Sequence, residues 1–271
     1  MLSCEAIKMR FTSILLLFVF ISIPVVHTFL SPLHSSYELA QKLSIKGNID
    51  NSHNHEHSKE VLYWSIEIME RLPYTLSALE VSMVGHCSLL HDFMDAKYVD
   101  FSKEIRAHLL SFYENKYVDV MMNIMGTMSY SKIVSHDGEV CFPDWISMSA
   151  FATVFHIIRE ADLLSSYNIA RMVEYRLYNK NYYISFEPNC SMEHSIIKEI
   201  EKLYFNRMDK LVERKLFVHK SSHELATAIA TVSKIKLSLL NSVDLHKNLD
   251  ILRIVNYLSI DDLIERIDWI N

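Results

Sequence analysis

The stretch that decides the fold is HCSLLHDFMDAKY, residues His86–Tyr98. An apolar run with helical spacing, Val81–Leu90, leads directly into a histidine–aspartate doublet formed by His91 and Asp92. Consecutive residues on a helix point roughly 100° apart, so these two side chains can meet at one ion where the helix ends or bends. The doublet therefore supplies two potential metal ligands, and further ligands have to come from elsewhere in the chain.

Two other segments carry the residue types that such a site needs. Upstream, NSHNHEHSKEV (Asn51–Val61) contains three histidines just before a helical pattern begins. Downstream, HIIREADLLSSYNIAR (His156–Arg171) is an apolar helix with Glu160 and Asp162 beside its hydrophobic face. Imidazole and carboxylate groups suit a borderline or hard divalent ion, and no thiolate belongs to the set.

The order histidine, histidine–aspartate, aspartate resembles the HD superfamily of metal-dependent phosphohydrolases, whose members hold one divalent ion with those four side chains. The resemblance covers roughly residues 51–220. SHNHEHSKEV is similar to the family's first motif and implies His57 as a ligand, and LLHDFMDAKY implies His91 and Asp92. READLLSSYNIAR resembles the last motif, which implies Asp162 as the fourth ligand rather than Glu160.

The resemblance also implies a reaction. One divalent ion, with Mn²⁺, Mg²⁺, Fe²⁺ and Co²⁺ all compatible, would activate a water that hydrolyses a small phosphorylated molecule such as a nucleotide. Asp95 follows Asp92 by about one helical turn and would orient that water or accept its proton. Lys97 would offer a positive charge to the substrate phosphate. A helix cap and a solvated charge, respectively, are the alternatives for these two catalytic candidates.

The phrases MSYSK (Met128–Lys132) and READLL are typical of one subgroup of HD hydrolases from microbial eukaryotes and large DNA viruses. Two positions depart from the family pattern, since Leu163 and Ser165 stand where many relatives have Arg and Asp. These departures leave the metal ligands unchanged but alter residues near the substrate. The alternative function is therefore a catalytically degenerate HD-fold protein that binds or acts as a scaffold without turnover.

The composition limits the classes of function. The chain has 271 residues, of which 50% are hydrophobic, with only 4 glycines and 5 prolines and a formal net charge of −6. A chain of this size can bury a sizeable core, and its acidic charge argues against a nucleic-acid partner. The four cysteines include no C-x-x-C pair, which argues against a zinc ribbon or a dense disulfide framework. The sequence leaves the oligomeric state open.

The apolar spacing predicts an all-α fold, and the resemblance implies an HD-domain helical bundle with additional C-terminal helices. We assign residues 51–188 to the metal-binding helical core, and residues 189–271 to C-terminal helices packed on that core. Residues 29–50 are assigned to a linker that starts with a short helix. Continuous helices are predicted over His57–Leu72, Thr75–Phe93, Phe101–Met125 and Trp145–Tyr178.

Residues 1–28 show a targeting pattern. Lys8 and Arg10 precede an apolar run, Phe11–Val26, that is shorter than the ~20 residues a membrane span needs. A cleaved secretory signal is therefore favoured, with no stable membrane span after cleavage. Phe29 and the serines behind it are compatible with delivery to a complex plastid instead. The remaining alternative is an uncleaved N-terminal helix in a cytoplasmic protein.

Overall fold

The computed structural model describes residues 32–94, 99–135, 137–178, 192–242, 249–255 and 259–270. These residues are helical apart from turns, connections and one isolated antiparallel bridge between Val134 and Val140. The all-α prediction is confirmed. The predicted signal segment 1–28 lies outside the described residues, and none of the described helices has both the length and the apolar character needed to cross a membrane.

The helices in chain order are α1 (32–46), α2 (His55–Met69), α3 (Ala78–Leu90), α4 (Ser102–Leu109), α5 (Asn115–Thr127), α6 (Tyr130–Ile133), α7 (Asp144–Ser147), α8 (Ala152–Ser165), α9 (Ile169–Tyr178), α10 (Met192–Asn206), α11 (Lys220–Ser238) and α12 (Ile260–Ile270). Short 3₁₀ helices lie at His91–Met94, Met208–Lys210, Leu240–Ser242 and Leu249–Leu252.

Helices α2, α3 and α8 form the centre of the fold. Each of them packs against the other two. Helix α3 is buried along most of its length, as expected for a helix with apolar residues around its whole circumference. The C-terminal helices join the same core, since α11 contacts α8 and α12 contacts both α2 and α3. The predicted metal ligands lie on α2, on α8 and on the 3₁₀ helix that directly follows α3.

Two of the four helix predictions were wrong in extent. The structure divides Phe101–Met125 into α4 and α5, and it divides Trp145–Tyr178 into α7, α8 and α9. The last of these breaks has a clear cause at Asn168. Its side-chain amide donates to both carboxylate oxygens of Glu60 on α2, at 3.0 and 3.1 Å, and its side-chain oxygen accepts from the backbone N–H of Arg171. A long-range polar contact therefore sets the start of α9.

Helix α1 lies within residues 29–50 and packs into the core. Its inner face is buried through Leu33, Tyr37, Ala40 and Leu43. Ser36 on the same face lies between two histidines, with its Oγ 2.6 Å from His86 Nδ1 and 2.8 Å from His108 Nε2. This hydrogen-bonded contact fixes α1 against α3 and α4.

The buried His86 should make the protein sensitive to acid. Burial, aided by His108, lowers the pKa of His86 to about 3, whereas a histidine in the unfolded chain titrates near 6.5. Below that pH the unfolded chain takes up a proton that the folded chain does not, so stability falls as the pH drops from about 6.5 towards 3. We expect His86→Gln to reduce this slope by about 1.4 kcal/mol per pH unit.

Urea unfolding at pH 6, 5 and 4, with a chelator present, measures the slope without a contribution from metal release. The matched control is His223→Gln, because His223 is exposed on α11 and its replacement should leave the slope unchanged. An identical slope in His86→Gln and the natural protein would contradict the assignment.

Candidate metal centre

His57 is positioned by the start of α2. The side chain of Asn54 accepts a hydrogen bond of 2.9 Å from the backbone N–H of Glu56 and thereby caps the helix. The cap places His57 in the first helical turn, with its side chain only 1% exposed. From there the Nε2 atom of His57 lies 3.3 Å from a carboxylate oxygen of Asp92 and 3.3 Å from one of Asp162.

His91 and Asp92 lie where the structure changes from α-helix to 3₁₀ helix. A capping box between Ser77 and Glu80 starts α3, which ends at Leu90. The tighter 3₁₀ turn that follows brings His91 Nε2 and Asp92 Oδ1 to within 3.3 Å of each other. The α-helix, predicted to continue to Phe93, ends before the doublet, and this removes the angular separation that a continuous α-helix would impose.

The orientation of His91 is fixed by its other ring nitrogen. Its Nδ1 lies 3.0 Å from the backbone carbonyl oxygen of Ser88, which can accept a hydrogen bond from Nδ1–H. That tautomer leaves the Nε2 lone pair directed at the carboxylates. Metal-binding histidines in proteins are commonly oriented in this way.

Asp162 completes the cluster from α8. Its Oδ1 lies 3.3 Å from His57 Nε2 and 4.0 Å from His91 Nε2. Atoms bound about 2.1 Å from one ion at right angles lie about 3 Å apart, and atoms on opposite sides lie about 4 Å apart. The structure therefore brings Asp162 close to both histidines, and the three residues whose ligand atoms all lie within 4.8 Å of one another are His57, His91 and Asp92.

The buried ligand atoms lack other partners. His57 Nε2, His91 Nε2 and Asp92 Oδ2 have no hydrogen-bond partner among the described residues. A buried polar atom that stays unsatisfied typically costs about 1–3 kcal/mol, and several in one place need an explanation. The group formed by His57, His91 and Asp92 can hold a metal ion, and such an ion would satisfy all three atoms.

The charge states of the cluster also favour a cation. Burial lowers the pKa of His57 to about 3, and the positive charge of Arg171 acts in the same direction. Burial alone would raise the pKa of Asp92 and of Asp162, but the neighbouring histidines outweigh it and both values lie below the usual range. At neutral pH His57 thus presents a neutral imidazole to two carboxylates that carry negative charge.

Glu160 and Asp162, the two acids of the READLL segment, occupy different environments. The carboxylate of Glu160 accepts hydrogen bonds from the backbone N–H groups of Val218 and His219, at 2.7 and 3.3 Å, and forms an ion pair of 2.9 Å with Arg159. It lies in a buried structural network at the start of α11. Of these two acids, Asp162 is the one that lies close to His57 and His91.

The other predicted residues lie apart from the cluster or outside the described chain. His53 packs near His57, with ring centroids 6.1 Å apart, but its Nδ1 lies 2.7 Å from Ser52 Oγ. His86 faces α1, as described above. The catalytic candidates Asp95 and Lys97 lie outside the described residues.

A pocket of about 490 Å³ lies beside the metal centre, and sequence reasoning missed most of its residues. His57 belongs to both sites, and Glu60, Asn168 and Arg253 are among the other residues around the pocket. The position of Glu60, about one helical turn after His57, is a local signal that could have identified it. Arg253 has no comparable signal, because nothing near it in the sequence relates it to the ligands.

Comparison with known proteins adds no relative. No family model, no curated protein and no solved structure matches this chain. The function has to be inferred from the residues and their geometry.

Proposed function

We propose that the protein is an HD-type metal-dependent phosphohydrolase that acts on a small phosphorylated molecule. The observation that carries the proposal is the convergence of four ligands from three helices, in the order that the resemblance implied. Their separations of 3.3–4.0 Å and their unsatisfied buried atoms support a metal centre. Phosphate hydrolysis is the chemistry that the resemblance associates with such a centre.

The four ligands suit a divalent ion of the Mn²⁺, Mg²⁺, Fe²⁺ or Co²⁺ type. His57 and His91 would each provide an imidazole nitrogen, and Asp92 and Asp162 would provide oxygen ligands whose two negative charges balance the charge of the ion. When bound, the ion would lower the pKa of a coordinated water and polarise a phosphoryl oxygen. The buried surroundings of the histidines limit the access of bulk solvent from their side.

Two further residues are proposed to take part in the reaction. Asp95 would orient the attacking water or accept its proton, since a carboxylate within hydrogen-bond reach of a nucleophilic water can act as a general base. Lys97 would hold the substrate phosphate through its ammonium group. Both assignments come from the sequence alone.

Metal analysis and a substrate panel test the proposal. We expect purified protein to contain a stoichiometric divalent ion and to hydrolyse at least one member of a panel of nucleotides, sugar phosphates and general phosphoesters with Mn²⁺ present. Treatment with a chelator should abolish the activity, and addition of Mn²⁺ should restore it. Absence of any bound metal would reject the metal centre.

Metal binding without hydrolysis of any panel member would instead favour a degenerate HD-fold binding protein. The departures at Leu163 and Ser165 motivate this second candidate. Ser165 nevertheless has a polar contact, because its Oγ accepts a hydrogen bond of 2.7 Å from Arg171. Although Ser165 departs from the family pattern, it therefore helps to hold a cationic side chain near the candidate metal centre.

A further inference from the structure

The pocket beside the metal centre has the size and position of a ligand subsite. Its volume of about 490 Å³ lies within the range of small-molecule sites in proteins, roughly 300–1,000 Å³. His57 is part of its wall, so a molecule in the pocket would lie next to the ligand cluster. A substrate that reacts at the metal centre could therefore extend into this pocket.

The wall of the pocket is built mainly from residues with polar or charged side chains, whose aliphatic stems also face the cavity. Among the twelve described residues that line it, eleven have polar or charged side chains, Val255 is the one apolar residue, and none is Phe, Tyr or Trp. Covering such a wall with an acyl chain or an aromatic ring would remove water from polar groups without replacing their hydrogen bonds, which is unfavourable. A ligand with several hydroxyl groups can both donate to and accept from this wall.

Most of the charged groups around the pocket are already paired. Lys59 forms an ion pair of 2.8 Å with Glu56, and Arg253 forms ion pairs with Glu174 at 2.7 Å and with Asp250 at 3.1 Å. The Arg253–Glu174 pair ties the 3₁₀ helix at Leu249–Leu252 to α9, and the hydrogen bonds from the Asn168 amide to Glu60 tie the start of α9 to α2. A wall held in this way is preorganised, which reduces the entropy lost when a ligand binds.

Arg171 is the exception among the cations of the pocket. Its Nε donates to the backbone oxygen of Ser52 at 2.6 Å and its NH1 group donates to Ser165 Oγ at 2.7 Å. Both acceptors are neutral, and no carboxylate of the described residues forms an ion pair with Arg171. Its charge acts on the carboxylates of Glu60 and Glu174 in the same wall, and it also acts on His57 and Asp162 of the ligand cluster. A guanidinium fixed by neutral acceptors, without a direct ion pair among the described residues, is a suitable binding group for phosphate.

We propose that this pocket binds the organic part of the substrate, that it selects a sugar or another polyhydroxylated group, and that Arg171 holds the phosphate at the end nearest the metal centre. The inference rests on the proposed function for the reaction itself. Binding to the pocket, however, can be measured without turnover, so the proposed function and the proposed binding site can be disproved separately.

Titration calorimetry on the purified full-length protein, with metal removed by a chelator, tests the inference. The probes are ribose 5-phosphate and phenyl phosphate, which share the phosphate but differ in the group attached to it. We expect ribose 5-phosphate to bind at least about tenfold more tightly, because only the sugar replaces the hydrogen bonds of the wall. Equal or tighter binding of phenyl phosphate, or no binding of either probe, would overturn the inference even if the protein hydrolyses phosphoesters.

Two variants and one control test which residues of the pocket bind the probes. Arg171→Met should weaken the binding of both phosphates at least about tenfold, whereas Arg176→Met, the same change on the same helix but outside the pocket wall, should leave binding unchanged. Asn51→Leu, a nearly isosteric change at an exposed pocket residue, should narrow the preference for ribose 5-phosphate. Because the Asn51 side chain also accepts a hydrogen bond of 3.2 Å from the α2 cap Asn54, thermal unfolding of this variant checks that the fold is kept. Unchanged ribose 5-phosphate binding in a folded Arg171→Met protein would overturn the role of Arg171.

Discussion

Asp92→Ala is expected to lose the bound divalent ion and to lower phosphoester hydrolysis on the order of a thousandfold or more. The carboxylate of Asp92 lies 3.3 Å from the Nε2 atoms of both His57 and His91, so it is the acid closest to both imidazoles. Its removal takes away one ligand and one of the two negative charges of the cluster. The remaining carboxylate of Asp162 would then have to balance a divalent ion alone.

Metal content and turnover are measured on the same preparation. The control is Asp119→Ala, since Asp119 is an exposed acid on α5 that pairs with Arg106 at 2.7 Å, and it should retain both properties. Thermal unfolding in the presence of a chelator should differ little between Asp92→Ala and the natural protein, which separates ligand loss from misfolding. Full metal occupancy in Asp92→Ala would show that the cluster is not the metal site.

Glu160→Ala is expected to destabilise the fold by about 3–5 kcal/mol. Glu160 is completely buried and forms the 2.9 Å ion pair with Arg159, whose side chain is only 1% exposed. Burial already lowers the pKa of Arg159 to about 10, and no other carboxylate of the described residues forms an ion pair with it. The variant would leave a buried cation unpaired and would also leave the backbone N–H groups of Val218 and His219 without their acceptor.

Urea unfolding measures this loss, with Glu265→Ala as the control. Glu265 is exposed on α12, and its replacement should change the free energy of unfolding by no more than about 0.5 kcal/mol. Glu160→Gln should cost less than the alanine variant, because an amide oxygen can still accept hydrogen bonds. A stability loss in Glu160→Ala no larger than in Glu265→Ala would contradict the buried network.

Glu160 and Asp162 should therefore give opposite phenotypes although they lie two residues apart. We expect Glu160→Ala to keep its metal content per folded molecule while it loses stability. Asp162→Asn should lose metal affinity while it keeps its stability in a chelator. The comparison tests the choice between these acids, which the resemblance suggested and which the structure explains through the different partners of the two side chains.

Much of the candidate site could be predicted from local sequence. The apolar spacing of the run before His91 predicts a helix that leads into the histidine–aspartate doublet, whose two side chains can converge only where the helix ends or bends. Asn54 and Ser77 are typical helix caps, and their positions account for the starts of α2 and α3. These features depend on residues within one or two turns of each other, so spacing alone carries the information.

The sequence by itself determined the helical class and, through the resemblance, predicted the four candidate ligands, whereas the tertiary structure decided what surrounds them. Asn168 contacts Glu60 across 108 positions of the chain, and Arg253 contacts Glu174 across 79. No local period encodes such pairs, because they depend on how helix faces rotate and pack against one another. For the same reason, only the packed fold reveals a pocket beside His57 and shows that Glu160 accepts hydrogen bonds from the backbone at the start of α11.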